Sequence, residues 1–281
     1  MIDLHTHSTA SDGTLTPTEL VALAAAQGVT ALALTDHDTV AGLGEAREEA
    51  DKQGLTLIPG IELTIDWKNG DFHLLGLGIR DESALRRVIV QKQGEREIRN
   101  QGIIEKMNID GIPVTLEDIR ASAHTSSIGR PHFADYLVTH RLARSRSQAF
   151  TKFLGKNAPW YVPHGGLSMA DAVAAILASG AQPVLAHPLS LYVSWGRMEE
   201  VLADFRAAGI TGLEVWHPSA SAADGSRLEK LAEKLGFFIT AGSDFHGLPC
   251  HDRPAKETRC ECPLGHSAPG RPIHYPLPTL R

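Results

Sequence analysis

Two hydrophobic rhythms alternate along the first eighty residues. Short apolar runs at Met1–His5, Thr30–Leu34, Leu55–Glu62 and Phe72–Gly78 have the length of buried strands. Between the first three lie stretches with helical spacing. Thr16-Pro17-Thr18-Glu19 reads as a capping box with proline at the first helical position, so a helix is predicted from there to about Gln27, stopped by Gly28. A second helix is predicted over Val40–Gln53, stopped by Gly54. From residue 81 to 157 the rhythm changes to a helical, polar and basic pattern without a convincing strand. Alternation then resumes, with helices predicted over Ser168–Ser179, Arg197–Ala208 and Ser221–Leu235, and strands over Gln182–Ala186, Gly212–Trp216 and Phe237–Ala241. Strands alternating with helices predict an α/β architecture with a largely parallel sheet. The chain therefore divides into a barrel (1–80 and 158–247), a helical insertion (81–157) placed as a cap over the substrate, and a tail (248–281). The tail holds seven of the sixteen prolines and has no period, so it is expected to be irregular and to contribute little to catalysis.

Composition narrows the class. In 281 residues, 42% are hydrophobic and 21% charged, as in a folded soluble protein. No apolar run approaches the roughly 20 residues that span a bilayer. The opening MIDLHTHS lacks the basic-then-apolar order of a secretory signal, so a cytoplasmic enzyme without membrane contact is expected. Net charge is −6, which argues against stable binding of duplex nucleic acid. Yet residues 86–156 hold 13 Lys+Arg against 7 Asp+Glu, leaving −12 on the rest of the chain. A basic segment beside an acidic body suits an anionic substrate held over bound cations; a solvated helical surface explains the charge equally well. The three cysteines (Cys250, Cys260, Cys262) all fall in the tail, so neither a disulfide framework nor thiol catalysis is expected. With His266 they could form a small zinc site, but Cys-x-Cys is not the usual knuckle spacing.

The chemistry concentrates at strand ends. The first strand leads to His5 and His7, then Asp12; the second to Asp36, His37 and Asp38; the third to Glu62; the fourth carries His73; later strands end at His187, at His217, and at Asp244 with His246. In α/β barrels that rim is where active sites are built. On an extended backbone His5 and His7 face one side, and Asp244-x-His246 repeats the geometry with one oxygen and one nitrogen. Any one of these has a plain structural reading: a surface His-x-His, an Asp capping a helix, a His-Pro turn, a salt-bridging Glu. Their coincidence at successive strand ends points to a metal centre, and mixed imidazole and carboxylate donors suit manganese, iron or zinc better than magnesium alone. His217 stays outside the ligand set.

His5-Thr6-His7-Ser8 with Ser11-Asp12-Gly13, Thr35-Asp36-His37-Asp38, Gly60-Ile61-Glu62, His73, Ala186-His187-Pro188 and Ser243-Asp244-Phe245-His246 resemble, in order, the motifs of the PHP (polymerase and histidinol phosphatase) domain family. The resemblance covers residues 1 to about 247. With Gly129-Arg130-Pro131-His132-Phe133-Ala134 in the insertion, it is nearest to the branch of 3′,5′-nucleotide bisphosphate phosphatases and ribonuclease AM. It implies a distorted (β/α)7 barrel and two or three divalent metals, manganese first among them. The implied ligands are His5, His7, Asp12, His37, Glu62, His73, His187, Asp244 and His246. Asp12, His187 and Asp244 are the implied catalytic residues, and Arg130 and His132 face the substrate phosphate. The implied reaction is hydrolysis of the 3′-phosphate of a nucleoside 3′,5′-bisphosphate, extending to stepwise 5′-to-3′ cleavage of short RNA. The implied partners are therefore a small phosphorylated nucleotide or an RNA 5′ end. Two other classes stay open: another metallohydrolase, acting on amides or histidinol phosphate, and a metal-binding module without catalysis.

Overall fold

A computed structural model describes residues 1–123, 125, 127–163, 166–247, 264–268 and 271–272. Seven strands form one sheet in chain order: β1 (Ile2–Asp3), β2 (Ala31–Leu34), β3 (Thr56–Ile65), β4 (Phe72–Leu77), β5 (Gln182–Leu185), β6 (Gly212–Trp216) and β7 (Phe238–Ala241). Leu4 N–H donates to Ala241 O at 3.1 Å and His7 N–H to Phe245 O at 2.9 Å, so the first strand meets the last and the sheet closes into a barrel.

The sheet is not parallel throughout. β4 pairs antiparallel with both β3 and β5, whereas the remaining neighbours are parallel. The cause is the six-residue connection after Ile65, since a parallel return needs a crossover of a dozen residues or more. The reversal has a consequence for function. His73 stands at the beginning of β4, and reversal puts that beginning on the rim where the other strands end. β3 also runs on to Ile65, past the predicted stop at Glu62, so Glu62 sits inside the strand opposite Leu75.

The predicted helices form with their signals in place. Thr16 and Glu19 make the reciprocal capping box of α1 (Pro17–Ala26). α2 (Leu43–Gln53) ends at Gly54, whose φ of 66° is the left-handed conformation glycine adopts without strain. Alternate residues of the strands sort into two apolar clusters. Ala31, Ala33, Ile58, Leu75, Leu77 and Val184 join Ile2 and Leu4 in one, which draws on most strands and fills the lumen. Leu32, Leu34, Ile61, Leu63 and Leu74 belong to a larger cluster with the helix faces outside. Between β4 and β5 the chain folds as α3 (Arg86–Ile109), α4 (Leu116–Ala123), α5 (Arg130–Thr139) and α6 (Arg146–Ala149), followed by one π-helical turn (Phe150–Leu154). These helices pack around an apolar cluster of their own, from Ile103 to Trp160. The barrel resumes with α7 (Met169–Ala178), α8 (Trp195–Ala207) and α9 (Ala222–Leu235).

Two short pieces of the tail, 264–268 and 271–272, fall within the described residues. His266–Ala268 (β8) and Arg271–Pro272 (β9) pair antiparallel rather than running irregularly. Leu264 is fully buried in the larger core cluster, and Gly265 N–H donates to Asp3 Oδ2 at 2.7 Å. The apolar contact and the buried carboxylate hold the piece down despite its weak local propensity. The three cysteines lie outside the described residues.

Candidate metal centre

Glu62 is the hub of the rim. Its Oε2 lies 3.3 Å from His5 Nε2, 3.2 Å from His7 Nε2 and 2.9 Å from His37 Nδ1. Its Oε1 lies 2.9 Å from His73 Nδ1 and 3.2 Å from His187 Nε2. One buried carboxylate therefore faces five imidazoles. Asp244 adds Oδ1, 3.4 Å from His5 Nε2 and 3.2 Å from His7 Nε2. Asp12 adds Oδ1 at 3.4 Å from His246 Nε2 and Oδ2 at 3.9 Å from His37 Nε2. Eight of the nine implied ligands fall into three overlapping groups whose donor atoms lie within 4.8 Å of one another: His7, Asp12, His37 and His246; His5, His7, Glu62 and Asp244; and His37, Glu62 and His73. The ninth, His187, touches the third group through Glu62 and through His73 Nδ1 at 3.2 Å.

The residues fit divalent cations. His5 Nε2, both nitrogens of His7, His37 Nδ1 and Glu62 Oε2 are buried without a hydrogen-bond partner. Buried polar atoms left so are rare, because each forfeits its hydration. Here they converge on one another at coordination-like spacing. Charge tells the same story. Burial opposes ionisation of Glu62, yet the rings of His37, His5 and His73 hold it well below the usual carboxylate range. Burial likewise opposes charge on His5, but Glu62, Glu214 and Asp244 hold that ring well above the usual imidazole range. Asp12 and Asp244 are also held low against burial by neighbouring imidazoles. Protons thus balance the carboxylates where cations can take their place.

The backbone is bent to deliver these groups. Asp38, His187 and Asp244 have φ of 55°, 26° and 53°, a region costly for residues with a Cβ, at about 1–3 kcal/mol each. Gly242 has no room for a side chain, since a Cβ there would meet Glu214 Oε1 at 2.7 Å and collide with His5.

Several contributors lie outside the implied ligand set. Glu214, fully buried on β6, accepts from His5 Nδ1 at 3.1 Å and from the main-chain N–H of His187 at 2.7 Å, so it orients the His5 ring and fixes the backbone that carries His187. Its only sequence signal is a carboxylate inside an apolar strand. Asp36 accepts from Ser8 N–H, Ser8 Oγ and Ser11 Oγ at 2.6–2.8 Å and so shapes the loop bearing Asp12. Asp38 pairs with Arg96 of α3. Thr125 Oγ donates to Thr9 O at 2.8 Å, tying the insertion to the same loop. Arg96 belongs to a cationic group on the insertion with Lys92 and Arg99, lining a small cavity with Asp38, Thr64 and Glu95. Arg99 is only 8% exposed and its Nε has no partner. Burial, with Arg96 and Arg130 close by, pushes its guanidinium down to about 9.

Of the two implied substrate binders, Arg130 opens α5 within electrostatic reach of Arg99. His132 is buried, and its Nδ1 accepts from Gly129 N–H at 2.9 Å, leaving only Nε2 for a ligand. His140 and His266 are engaged with backbone carbonyls away from the rim, while His124, His164, His251 and His274 lie outside the described residues.

The PHP domain profile matches residues 3–121. A 5′-3′ exoribonuclease of Haemophilus influenzae is 36% identical over 88% of this chain and 90% of its own. A 3′,5′-nucleoside bisphosphate phosphatase of Chromobacterium violaceum is 36% identical over 87% of each chain. Among solved structures, an amidohydrolase from Chromobacterium violaceum with bound sulfate superposes with a TM-score of 0.82 at 34% identity, covering 97% of this chain and 94% of that one. A protein from Bifidobacterium adolescentis, described as a metal-dependent phosphoesterase, superposes with a TM-score of 0.79 at 31% identity over 91% of each chain. With its ordered motifs, closed seven-stranded barrel and clustered ligands, the chain belongs to the PHP domain family.

Proposed function

We propose that this protein is a metal-dependent phosphoesterase that removes the 3′-phosphate from nucleoside 3′,5′-bisphosphates, and that the same site cleaves short RNA stepwise from its 5′ end. One observation carries the metal-dependent part: five buried, unpartnered donor atoms, on His5, His7, His37 and Glu62, converge at the rim. The three donor groups suit two or three ions, and their nitrogen-oxygen mixture suits manganese first, with iron or zinc as alternatives. When bound, such ions supply Lewis acidity and a nucleophile available at neutral pH. The chain's own part is to position. His5, His7, Glu62 and Asp244 hold one side of the site, and Asp12, His37 and His246 the other. Asp12, His187 and Asp244 are proposed to stand nearest the reacting phosphate.

The substrate class follows from charge. Lys92, Arg96, Arg99 and Arg130 bring four cations together, while Asp38 and Glu95 answer only two. A surplus of buried and half-buried positive charge beside a metal rim calls for a second anion on the substrate, apart from the one that reacts. A 5′-phosphate supplies it in both a bisphosphate and an RNA end. The relatives named for these two activities support the same reading. An amide substrate would leave the cationic surplus unanswered.

The test compares adenosine 3′,5′-bisphosphate with adenosine 3′-monophosphate on manganese-loaded enzyme. Wild type should prefer the bisphosphate strongly, with the preference appearing in kcat as well as KM, because remote binding energy orients the scissile bond. Arg130→Ala and Arg99→Ala should each lose most of it. Equal rates on both nucleotides in wild type would remove the second-phosphate assignment.

A further inference from the structure

His217 sits at the end of β6, with its ring centroid 5.2 Å from that of His187, yet it falls in none of the donor groups. Its Nδ1 is already engaged. Ser219 N–H, which can only donate, reaches His217 Nδ1 at 3.1 Å, and Ser219 Oγ stands 2.7 Å from the same nitrogen. Nδ1 must therefore carry the lone pair, and the proton of the neutral ring resides on Nε2. His5 is built the opposite way. Its Nδ1 faces the Glu214 carboxylate, which can only accept, so its Nε2 lone pair is free to ligate. Two neighbouring histidines on one rim thus present opposite faces: a ligand lone pair from His5 and an N–H from His217.

The partner of that N–H is on the page. His217 Nε2 is buried, has no hydrogen bond, and lies 3.4 Å from Asp244 Oδ2. The other oxygen of the same carboxylate, Oδ1, faces His5 and His7. Asp244 is itself at a costly φ of 53° that its surroundings must hold, and its carboxylate is divided, with Oδ1 on His5 and His7 and Oδ2 on His217. We propose that His217 is a positioning residue and not a metal ligand: it offers a fixed Nε2–H to Asp244 Oδ2 and so points Oδ1 into the centre. This rests on the metal-centre reading but on no particular substrate.

The test needs no turnover. In zinc-loaded protein carrying ¹⁵N-histidine, with the His217 resonances identified by their loss in His217→Gln, Nε2 should be protonated and Nδ1 not. His217→Ala should retain the wild-type number of metal equivalents, whereas His5→Ala should lose at least one. Manganese affinity should fall about tenfold in His217→Ala, the lower end of the effect of an outer-shell partner. It should return towards wild type in His217→Gln, whose amide N–H can reach the same oxygen. An unprotonated Nε2 in the loaded wild type, loss of a metal equivalent in His217→Ala, or identical affinity in all three proteins would overturn the proposal. Should His217→Ala fail to fold, the wild-type spectrum, assigned through His217→Gln, still decides the tautomer.

Discussion

Glu214 accepts hydrogen bonds from both His5 and His187 from within an apolar strand. Its amide analogue keeps the volume but loses the charge that fixes the His5 tautomer. Glu214→Gln is therefore expected to weaken metal binding by about 10–100-fold while the fold is kept, as outer-shell changes do; calorimetric titration of chelator-treated protein with manganese checks this. Asp12 is different, because it touches the centre from a loop and closes only one donor group. Asp12→Asn should lower turnover far more than stability. If thermal melting shows a large loss of stability and activity per folded molecule is unchanged, its role is structural. The candidate ligands were legible in the sequence through their coincidence at successive strand ends, since each alone has a plain structural reading. Part of their support was not: Glu214 and Arg99 act through atoms brought from distant elements, and Asp36, though it stands in the motif of His37, gains its role only where Ser8 and Ser11 meet it.

At the scale of elements, caps and stops were written locally. Thr16, Glu19 and Gly54 act within one turn of their helices, so the boundaries of α1 and α2 follow from short stretches of chain. The direction of β4 was not local in the same sense. It depends on the length of a connection and on which neighbours the strand finds, and that reversal is what brings His73 to the rim. The tail piece is another non-local element. Leu264 fills the main core and Gly265 satisfies Asp3, whose carboxyl burial pushes up to about 6. Leu264→Ala should cost about 2–5 kcal/mol in denaturant unfolding, as for a fully buried leucine. Ending the chain at Gly247 should destabilise the barrel as a whole, and near-wild-type stability of that truncation would show that the tail contact is incidental.

For the whole molecule, the centre links the start, middle and end of the chain. His5 and His7 come from just beyond the first strand, Glu62 and His73 from the third and fourth, and Asp244 and His246 from beyond the last. Cations bound there stabilise only the assembled barrel. Manganese at about 100 times its dissociation constant should raise unfolding free energy by about 2.7 kcal/mol, and chelator should reverse the gain. Melting curves at several manganese concentrations check this, and a midpoint independent of metal would oppose the assignment. No helix among the described residues is long and apolar enough to cross a membrane. The basic insertion keeps an apolar cluster of its own and reaches the rim through Arg96–Asp38 and Thr125–Thr9.

By itself the sequence determined the alternation of strands and helices, the helix stops, the break at the insertion and the list of residues able to bind metal. These depend on periodicity, capping and side-chain chemistry, which act over a few residues. Only the tertiary structure decided how those residues share the site. It made Glu62 the common partner of five imidazoles, gave His5 and His217 opposite tautomers, reversed β4 and buried Leu264. Each of these is settled by which distant group occupies the other side of a contact. Burial sets the cost of leaving a polar atom unmatched, and barrel closure decides which atoms meet.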